Sequence, residues 1–274
     1  MGGPLVDEHT ISVDQAPIFY RSAPVPSGVS TPLYLHGVPT SSDDWSGLLE
    51  RTGGIAPDLI GFGRSSKAAN LDYTLAGLAT FLERFLVEVG AERVTIVAHD
   101  WGAAAGLVFA QRRPQAIDRL VLCDAVPLLD GFEWHRVARL LRRPLMGELI
   151  MGSTPRWFLW RLLREGCARP EALSDDHLRA VWSQFDQGTQ RAILRLYRAT
   201  DESDLAAAGA DLEQLRMSAL VLWGEQDPWL APAFADAYGQ RLPRATVQRI
   251  EAAGHWPWLD DATVADRIVE FVLG

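Results

Sequence analysis

Lysine is almost missing from this chain of 274 residues: the basic residues number 26, and Lys67 is the only lysine among them. The acidic residues number 35, so the formal net charge is −9. A chain this acidic is poorly suited to bind nucleic acid or an anionic membrane surface. We therefore expect neither of these among its partners.

Cysteine and long apolar runs are also scarce. Cys123 and Cys167 are the only cysteines, which excludes a disulfide framework, and their spacing does not suit a metal site. No apolar run approaches the roughly 18 residues that a membrane span needs. The first residues, MGGPLVDEHT, lack the basic and then apolar pattern of a targeting signal. These absences predict free thiols and a cytoplasmic protein. We expect it to be a monomer or a homodimer.

What the chain does contain is an alternation of short apolar runs with helical patterns. Segments such as Val94 to Ala98 are apolar without alternation, which is typical of strands in a parallel sheet covered on both faces. The alternation stops at about residue 128 and resumes at about residue 213, and the stretch between has only helical periodicity. The pattern predicts an α/β core domain (1–127 and 213–274) interrupted by a helical cap domain (128–212).

The segment VAHDWGAAAG, residues 97–106, carries the clearest sign of chemistry. An apolar strand passes directly into a helix here, with Ala98 and Gly102 two residues to either side of Asp100. Small residues at these places permit the sharp turn that lifts a nucleophile above the edge of a sheet. Asp100 could instead be an ordinary helix N-cap, a role that aspartate often fills.

A nucleophile on such a turn needs a histidine and an acid that orients it. Asp227 follows the strand in LVLWGEQDP, and His255 follows the last strand in EAAGHWPW, which is the chain order expected for this topology. All three side chains are predicted at the carboxyl ends of strands, where open α/β sheets keep their sites. Asp124, which ends LVLCD one strand earlier, is an alternative acid.

A turn of sequence His-Gly-Val-Pro, residues 36–39, follows another strand. It can aim the amide of Val38 at the same point as the amide of Trp101, so that two N–H donors face a developing oxyanion. Such tight turns often need a cis proline, and the Val38–Pro39 bond is a candidate for one.

Together these segments resemble the α/β-hydrolase fold superfamily, and within it the epoxide hydrolases and haloalkane dehalogenases, whose nucleophile is an aspartate. The resemblance implies a mostly parallel central sheet flanked by helices, with a helical cap inserted after the sixth strand. It implies that Asp100 attacks a saturated carbon to form an ester, that His255 and Asp227 activate water to hydrolyse it, and that no metal or organic cofactor takes part. It also suggests a small apolar substrate; the candidates for its pocket are His36, Pro39, Trp157, Trp160 and Trp256.

The leaving group distinguishes the two enzymes. An epoxide oxygen leaves as an alkoxide and needs a proton donor, and Tyr197 in AILRLYRAT resembles the tyrosine that opens the ring in epoxide hydrolases. A halide needs only N–H donors, which Trp101 together with Trp157 or Trp160 would supply in a dehalogenase. Tyr197 is the only tyrosine of the predicted cap, whereas epoxide hydrolases usually carry two. We favour an epoxide hydrolase, with a haloalkane dehalogenase as the alternative. A third hypothesis is a ligand-binding member of the superfamily that has no catalytic activity.

Overall fold

Eight strands form one sheet in the computed structural model, which describes residues 5–274. Residues 1–4 lie outside the described residues. The predicted start of the core domain at residue 1, and part of the segment in which we expect no targeting signal, lie among them. The bounds of the strands are as follows: β1 Asp7–Val13, β2 Ala16–Ala23, β3 Thr31–Leu35, β4 Gly54–Pro57, β5 Val94–His99, β6 Ile117–Ala125, β7 Ser218–Gly224 and β8 Ala245–Ile250.

The order of strands across the sheet is β1-β2-β4-β3-β5-β6-β7-β8. β1 pairs antiparallel with β2, and β2 pairs antiparallel with β4, whereas the remaining neighbours are all parallel. Because β5 is central and buried along its whole length, it can consist of apolar residues without alternation. The carboxyl ends of β3, β5, β6, β7 and β8 therefore lie along one edge of the sheet, as the sequence predicts.

Helices flank this sheet, and α2 shows how the sequence delimits them. The Thr74 side chain accepts a hydrogen bond from the Gly77 amide at its start, and Gly90 ends it in the left-handed conformation with φ of 70°. In the core, α2 packs on α3 and α1 on α12. The helices of the core are α1 Ser46–Thr52, α2 Leu75–Val89, α3 Asp100–Arg112, α10 Ala233–Arg241, α11 Pro257–Asp260 and α12 Ala262–Leu273.

Residues 126–217 connect β6 to β7, and we call this stretch the cap segment. Among the described residues it contains helices and short 3-10 turns but no strand. Its helices are α4 Arg136–Leu141, α5 Met146–Ser153, α6 Arg156–Glu165, α7 Asp175–Gln184, α8 Gln187–Arg198 and α9 Glu202–Ala208. None of the helices within residues 5–274 is long and apolar enough to cross a membrane.

Polar contacts join the cap segment to the core. His177 of α7 forms an ion pair with the buried Asp44, with Nε2 and Oδ1 3.2 Å apart. Gln184 donates from Nε2 to Oδ2 of Asp43 at 3.0 Å. Burial lowers the pKa of His177, but the hydrogen bond and charge of Asp44 outweigh it, so that the pKa is raised overall. The imidazolium form of His177 therefore stabilises the contact.

We predict that His177→Gln lowers the free energy of unfolding more at about pH 6 than at about pH 9. A raised pKa in the folded state adds stability that is complete below the unfolded value of about 6.5 and is lost as pH rises through the folded value. At the lower pH the loss should be roughly 1–3 kcal/mol, because the buried charge of Asp44 loses its ion-pair partner. Urea unfolding at both pH values tests this, with His9→Gln as control, since His9 bonds the neutral hydroxyl of Ser22. An equal loss at both pH values would contradict it.

Candidate active site

Asp100 lies on a sharp turn between β5 and α3. β5 ends at His99, and α3 begins at Asp100 itself, whose φ of 50° is unusual for a residue with a side chain. Close backbone approach makes glycine necessary nearby: a Cβ on Gly102 would lie 2.4 Å from the carbonyl oxygen of His36. A Cβ on Gly37 would lie 2.8 Å from Oδ2 of Asp100. Both glycines therefore allow the turn after β3 to reach the Asp100 carboxylate.

A hydrogen bond to one of its two oxygens holds the Asp100 carboxylate in place. The amide of Val38 donates to Oδ2 at 2.9 Å, and the Val38–Pro39 peptide bond that shapes this turn is cis, as the sequence predicts. Burial raises the pKa of Asp100, although the nearby His255 and the amides of Val38 and Trp101 oppose the rise. Because Val38 occupies Oδ2, Oδ1 is the oxygen left for a reaction partner.

His255 and Asp227 form a buried pair beside Asp100. His255 Nδ1 lies 2.7 Å from Oδ2 of Asp227, and the other oxygen of Asp227 accepts from the amides of Trp229 at 2.7 Å and Leu230 at 3.1 Å. Burial lowers the pKa of His255, but the charges of Asp227 and Asp100 outweigh this effect and raise it overall. Because Nδ1 is bonded to Asp227, Nε2 is the nitrogen of His255 that can accept a proton from a reaction partner.

Asp124, the alternative acid, is completely buried at the end of β6, with φ of 38°. Its Oδ1 accepts from the Gly224 amide at 3.0 Å, and its Oδ2 has no hydrogen-bond partner among residues 5–274. Burial, followed by the charge of Asp227, raises the pKa of Asp124 well above its usual range. Asp227 is the carboxylate within hydrogen-bond distance of His255 Nδ1, and Asp124 is bonded to the backbone instead.

Asp124, Asp227 and His255 place donor atoms within 4.8 Å of one another, close enough to be considered as metal ligands. However, His255 Nδ1 is already bonded to Asp227, and Oδ1 of Asp124 already accepts from the Gly224 amide. The cluster is better suited to orienting the imidazole than to holding a cation.

A cavity of about 110 Å³ lies between the sheet edge and the cap segment. Asp100, His255, Val38 and Pro39 form its floor. Most of its other walls are apolar side chains of the cap segment, among them Leu141, Ile150, Met151, Phe158, Leu159, Leu162, Leu163, Phe185 and Ile193. A mostly apolar cavity of this size suits a small apolar ligand.

Three aromatic side chains pack together at one side of this cavity. Trp101 is stacked on Trp134, with ring centroids 5.5 Å apart, and Tyr197 lies edge-on to Trp101 at 5.2 Å. Tyr197 and Trp134 line the cavity. The indole N–H groups of Trp101 and Trp134 are buried and have no hydrogen-bond partner within residues 5–274. Burial, followed by the charge of Asp100, raises the pKa of Tyr197, so its hydroxyl stays protonated.

Some pocket candidates lie elsewhere, which corrects the expectation from sequence. Trp157 and Trp160 line a surface depression on α6, and Trp157 is 66% exposed because its side of the helix faces away from the core. His36 is buried beneath the floor, where Nδ1 donates to the Gly37 carbonyl at 2.8 Å and Nε2 accepts from the Leu59 amide at 2.9 Å. Trp256 packs against the imidazole of His255 and does not line the cavity.

Other residues of the cavity were not singled out from the sequence. Trp134 and His135 follow β6 and precede α4, and Trp229 follows Asp227 and packs on His255 at 4.7 Å. Their position in the sequence could have indicated them, because all three residues follow strands whose carboxyl ends form the site. Phe158 could not have been chosen over its neighbour Trp157 without the orientation of α6.

The chain is matched over residues 33–267 by the model of the alpha/beta hydrolase family, and it belongs to that family. It is 29% identical to a haloalkane dehalogenase of Mesorhizobium japonicum, over 89% of this chain and 85% of the relative. It is 27% identical to epoxide hydrolase 2 of Caenorhabditis elegans, over 87% and 72%. The crystal structure of the haloalkane dehalogenase DbeA from Bradyrhizobium elkani superimposes with a TM-score of 0.84 at 27% identity, over 98% of both chains. These relatives support hydrolysis as the class of reaction.

Proposed function

We propose that this protein hydrolyses a bond at a saturated carbon through a covalent ester on Asp100. Oδ1 of Asp100 attacks the carbon from the side opposite the leaving group, and a C–O bond forms as the bond to the leaving group breaks. The 2.9 Å hydrogen bond from Val38 to Oδ2 supports this assignment, because it turns the other oxygen toward the cavity. Removal of water from the apolar cavity makes the carboxylate a stronger nucleophile.

His255 then acts as the base that hydrolyses the ester. Formation of the ester removes the negative charge of Asp100, which is one of the causes that raise the pKa of His255. The imidazole therefore releases its proton more readily once the ester exists, and its Nε2 can take a proton from water. The water attacks the Asp100 carbonyl carbon, and the amides of Val38 and Trp101 stabilise the oxyanion. The alcohol then leaves with the proton that His255 took up, and the second proton of the water is lost as the Asp100 carboxylate forms again.

The observation that favours an epoxide as substrate is the protonated hydroxyl of Tyr197 in the cavity wall. Opening of an epoxide produces an alkoxide on the same carbon skeleton, and a phenol with an ordinary pKa of about 10 can donate the proton that it needs. We infer that Tyr197 protonates the epoxide oxygen as Asp100 attacks, which yields a diol after hydrolysis. A haloalkane would not need this hydroxyl.

A second candidate function, haloalkane dehalogenation, is favoured by the two unpartnered indoles. Among residues 5–274, the N–H groups of Trp101 and Trp134 are buried without partners, and a halide leaving group would need such donors. Trp134, which lines the cavity, would take the part that the sequence suggested for Trp157 or Trp160. The side chain of Val38 cannot donate a hydrogen bond. In a dehalogenase, binding of the halide would therefore depend on the indole N–H groups alone.

Two separate assays distinguish the epoxide hydrolase from the dehalogenase: one with an aryl or alkyl epoxide, and one with a bromoalkane. Diol formation without bromide release supports an epoxide hydrolase, and bromide release without diol supports a dehalogenase. If neither product forms with a broad panel of each, the chain is a ligand-binding member of the family and the proposal fails.

We predict that Tyr197→Phe lowers diol formation by about 10²–10⁴-fold, the usual contribution of a general acid. Tyr73→Phe is the matched control, since it removes a phenol that donates to the Ala68 carbonyl outside the cavity. Steady-state rates of diol release from both variants test this. Unchanged activity of Tyr197→Phe would mean that the proton comes from another donor.

A further inference from the structure

Large apolar side chains cluster on the exposed side of the cap segment. Eight such side chains are exposed within residues 5–274, and five of them lie between residues 145 and 158. We call these five the outer apolar surface: Leu145, Met146, Leu149, Trp157 and Phe158. The other three are far from one another along the chain, and isolated residues of this kind are normal. A cluster instead marks a surface that binds a partner.

The rotation of α5 and α6 turns these side chains outward. Met151 on α5 and Leu159 on α6 are buried and line the cavity. Leu149 and Trp157 lie two residues away on their helices, which places them on the opposite sides, and both are 66% exposed. Only two residues separate α5 from α6, and both helices border the same cavity. Their outer sides are therefore adjacent, and no part of the described chain covers them.

The charge around the outer apolar surface is opposite in sign to that of the whole chain. Residues 136–169 contain eight arginines and two glutamates, a net charge of +6, although the chain as a whole carries −9. Ion pairs neutralise both glutamates: Glu148 lies 2.6 Å from Arg198, and Glu165 lies 2.7 Å from Arg161. The acidic net charge argues against an anionic partner for most of the chain, but not for this stretch.

Several of these arginines are free to bind an anion. Arg156 immediately precedes Trp157, and its guanidinium lies 5.2 Å from the centre of the Trp160 ring. Arg143 belongs to the exposed run that leads into Leu145. Five arginines of the stretch are exposed and form no ion pair within residues 5–274: Arg136, Arg139, Arg143, Arg156 and Arg169.

We propose that the outer apolar surface binds the face of an anionic lipid bilayer. Leucine and tryptophan side chains beside unpaired arginines are the chemistry of a segment that lies in the membrane interface: the apolar groups enter the boundary of the lipid chains, and the arginines bind phosphate groups. The contact is peripheral. Phe158 belongs both to this surface and to the cavity wall, so an apolar compound dissolved in the bilayer would reach the cavity beside it.

Screening decides whether the acidic remainder of the chain prevents this contact. Charges farther from the bilayer than about 8 Å are largely screened at physiological ionic strength. Glu92 and Asp118 lie at the amino ends of β5 and β6, at the edge of the sheet opposite to the site and the cap segment. The arginines beside the outer apolar surface therefore act on the lipids, whereas such distant carboxylates do not.

A second copy of this chain fits the outer apolar surface less well than a bilayer does. A symmetric contact would bring the same surface of both copies together, and with it two sets of unpaired arginines. Repulsion between these like charges would oppose the dimer, whereas anionic lipids neutralise them. The inference does not depend on the reaction proposed for Asp100.

Flotation of the whole protein with lipid vesicles tests the apolar part of the contact. Vesicles of phosphatidylcholine with about a third phosphatidylglycerol are compared with vesicles of phosphatidylcholine alone, and we expect at least about tenfold tighter binding to the anionic ones. Leu149→Ser combined with Trp157→Ser should weaken that binding at least about tenfold. Val87→Ser combined with Leu273→Ser is the matched control, since it removes two exposed apolar side chains elsewhere and should change nothing.

A second pair of variants tests the charge. Arg143→Gln combined with Arg156→Gln should weaken binding to the anionic vesicles about fivefold for each arginine, and high salt should do the same to wild type. Arg244→Gln combined with Arg267→Gln makes the same change of net charge at exposed positions of the core and should leave binding unchanged. Because all the substituted side chains are exposed, the variants should fold, and circular dichroism checks this.

Three results would overturn the inference. One is a wild type that does not float with the anionic vesicles, and another is a pair of variants that bind as tightly as their controls. The third is a dimer, measured by sedimentation equilibrium, that Leu149→Ser with Trp157→Ser dissociates while wild type ignores vesicles. That result would show that the surface joins two copies of the chain. Loss of turnover in any of these variants is not needed, so failure of the proposed reaction would leave the test intact.

Discussion

His255→Gln is expected to trap the protein as a covalent ester on Asp100. The first step does not use His255 as a base, so the ester should still form. The second step needs a base for water, and glutamine cannot accept the proton. Mass spectrometry of the intact protein should show an increase equal to the mass of the whole epoxide, or of the alkyl group if a haloalkane reacts.

The expected loss of turnover in His255→Gln is about 10²–10⁴-fold, the contribution of general base catalysis. Asp100→Asn combined with His255→Gln is the control and should gain no mass. Peptide mapping should place the adduct on the segment that contains Asp100. An adduct on another residue, or release of product at the rate of the wild type, would contradict the assigned roles.

Asp227→Asn should lower turnover by about 10⁴-fold, as loss of the orienting acid does in other catalytic triads. The amide of asparagine would donate a hydrogen bond to His255 Nδ1, which now lies 2.7 Å from Oδ2 of Asp227. Because Nδ1 would then be an acceptor, the ring hydrogen would be on Nε2. The imidazole could then no longer take a proton from water. The ester should therefore accumulate in this variant as it does in His255→Gln.

Asp124→Asn is the matched comparison for Asp227→Asn. Asp124 accepts a hydrogen bond from the Gly224 amide, and asparagine preserves both its shape and that acceptor. We expect turnover to fall by less than about tenfold, the worth of one hydrogen bond. Rates of single-turnover hydrolysis for the two variants test the assignment. A larger loss in Asp124→Asn than in Asp227→Asn would identify Asp124 as the acid.

The order of elements and the floor of the site could be predicted because they depend on local patterns. Strand β5 is buried along its whole length and mostly apolar, and the glycines near Asp100 permit the close approach that the turn requires. Asp227 and His255 could be placed near it because the carboxyl ends of parallel strands meet at one edge. Strand β4, Gly54–Pro57, carried too weak a pattern to be recognised, since it is short and bounded by glycine and proline.

The walls of the cavity could not be predicted, because they depend on how the helices of the cap segment are rotated. Trp157 and Phe158 are neighbours on α6, yet Phe158 lines the cavity and Trp157 faces away from it. Likewise, the choice between Asp227 and Asp124 needed the distance to His255.

The central claim is that Asp100 bonds covalently to the substrate carbon, and the fate of the water oxygen tests it most directly. A single turnover in oxygen-18 water should place the label in the Asp100 carboxylate, because water attacks the carbonyl carbon of the ester. The alcohol oxygen of the product then comes from Asp100 and is unlabelled. Label in the product after a single turnover, with none in the peptide that contains Asp100, would show direct attack by water and would contradict the account.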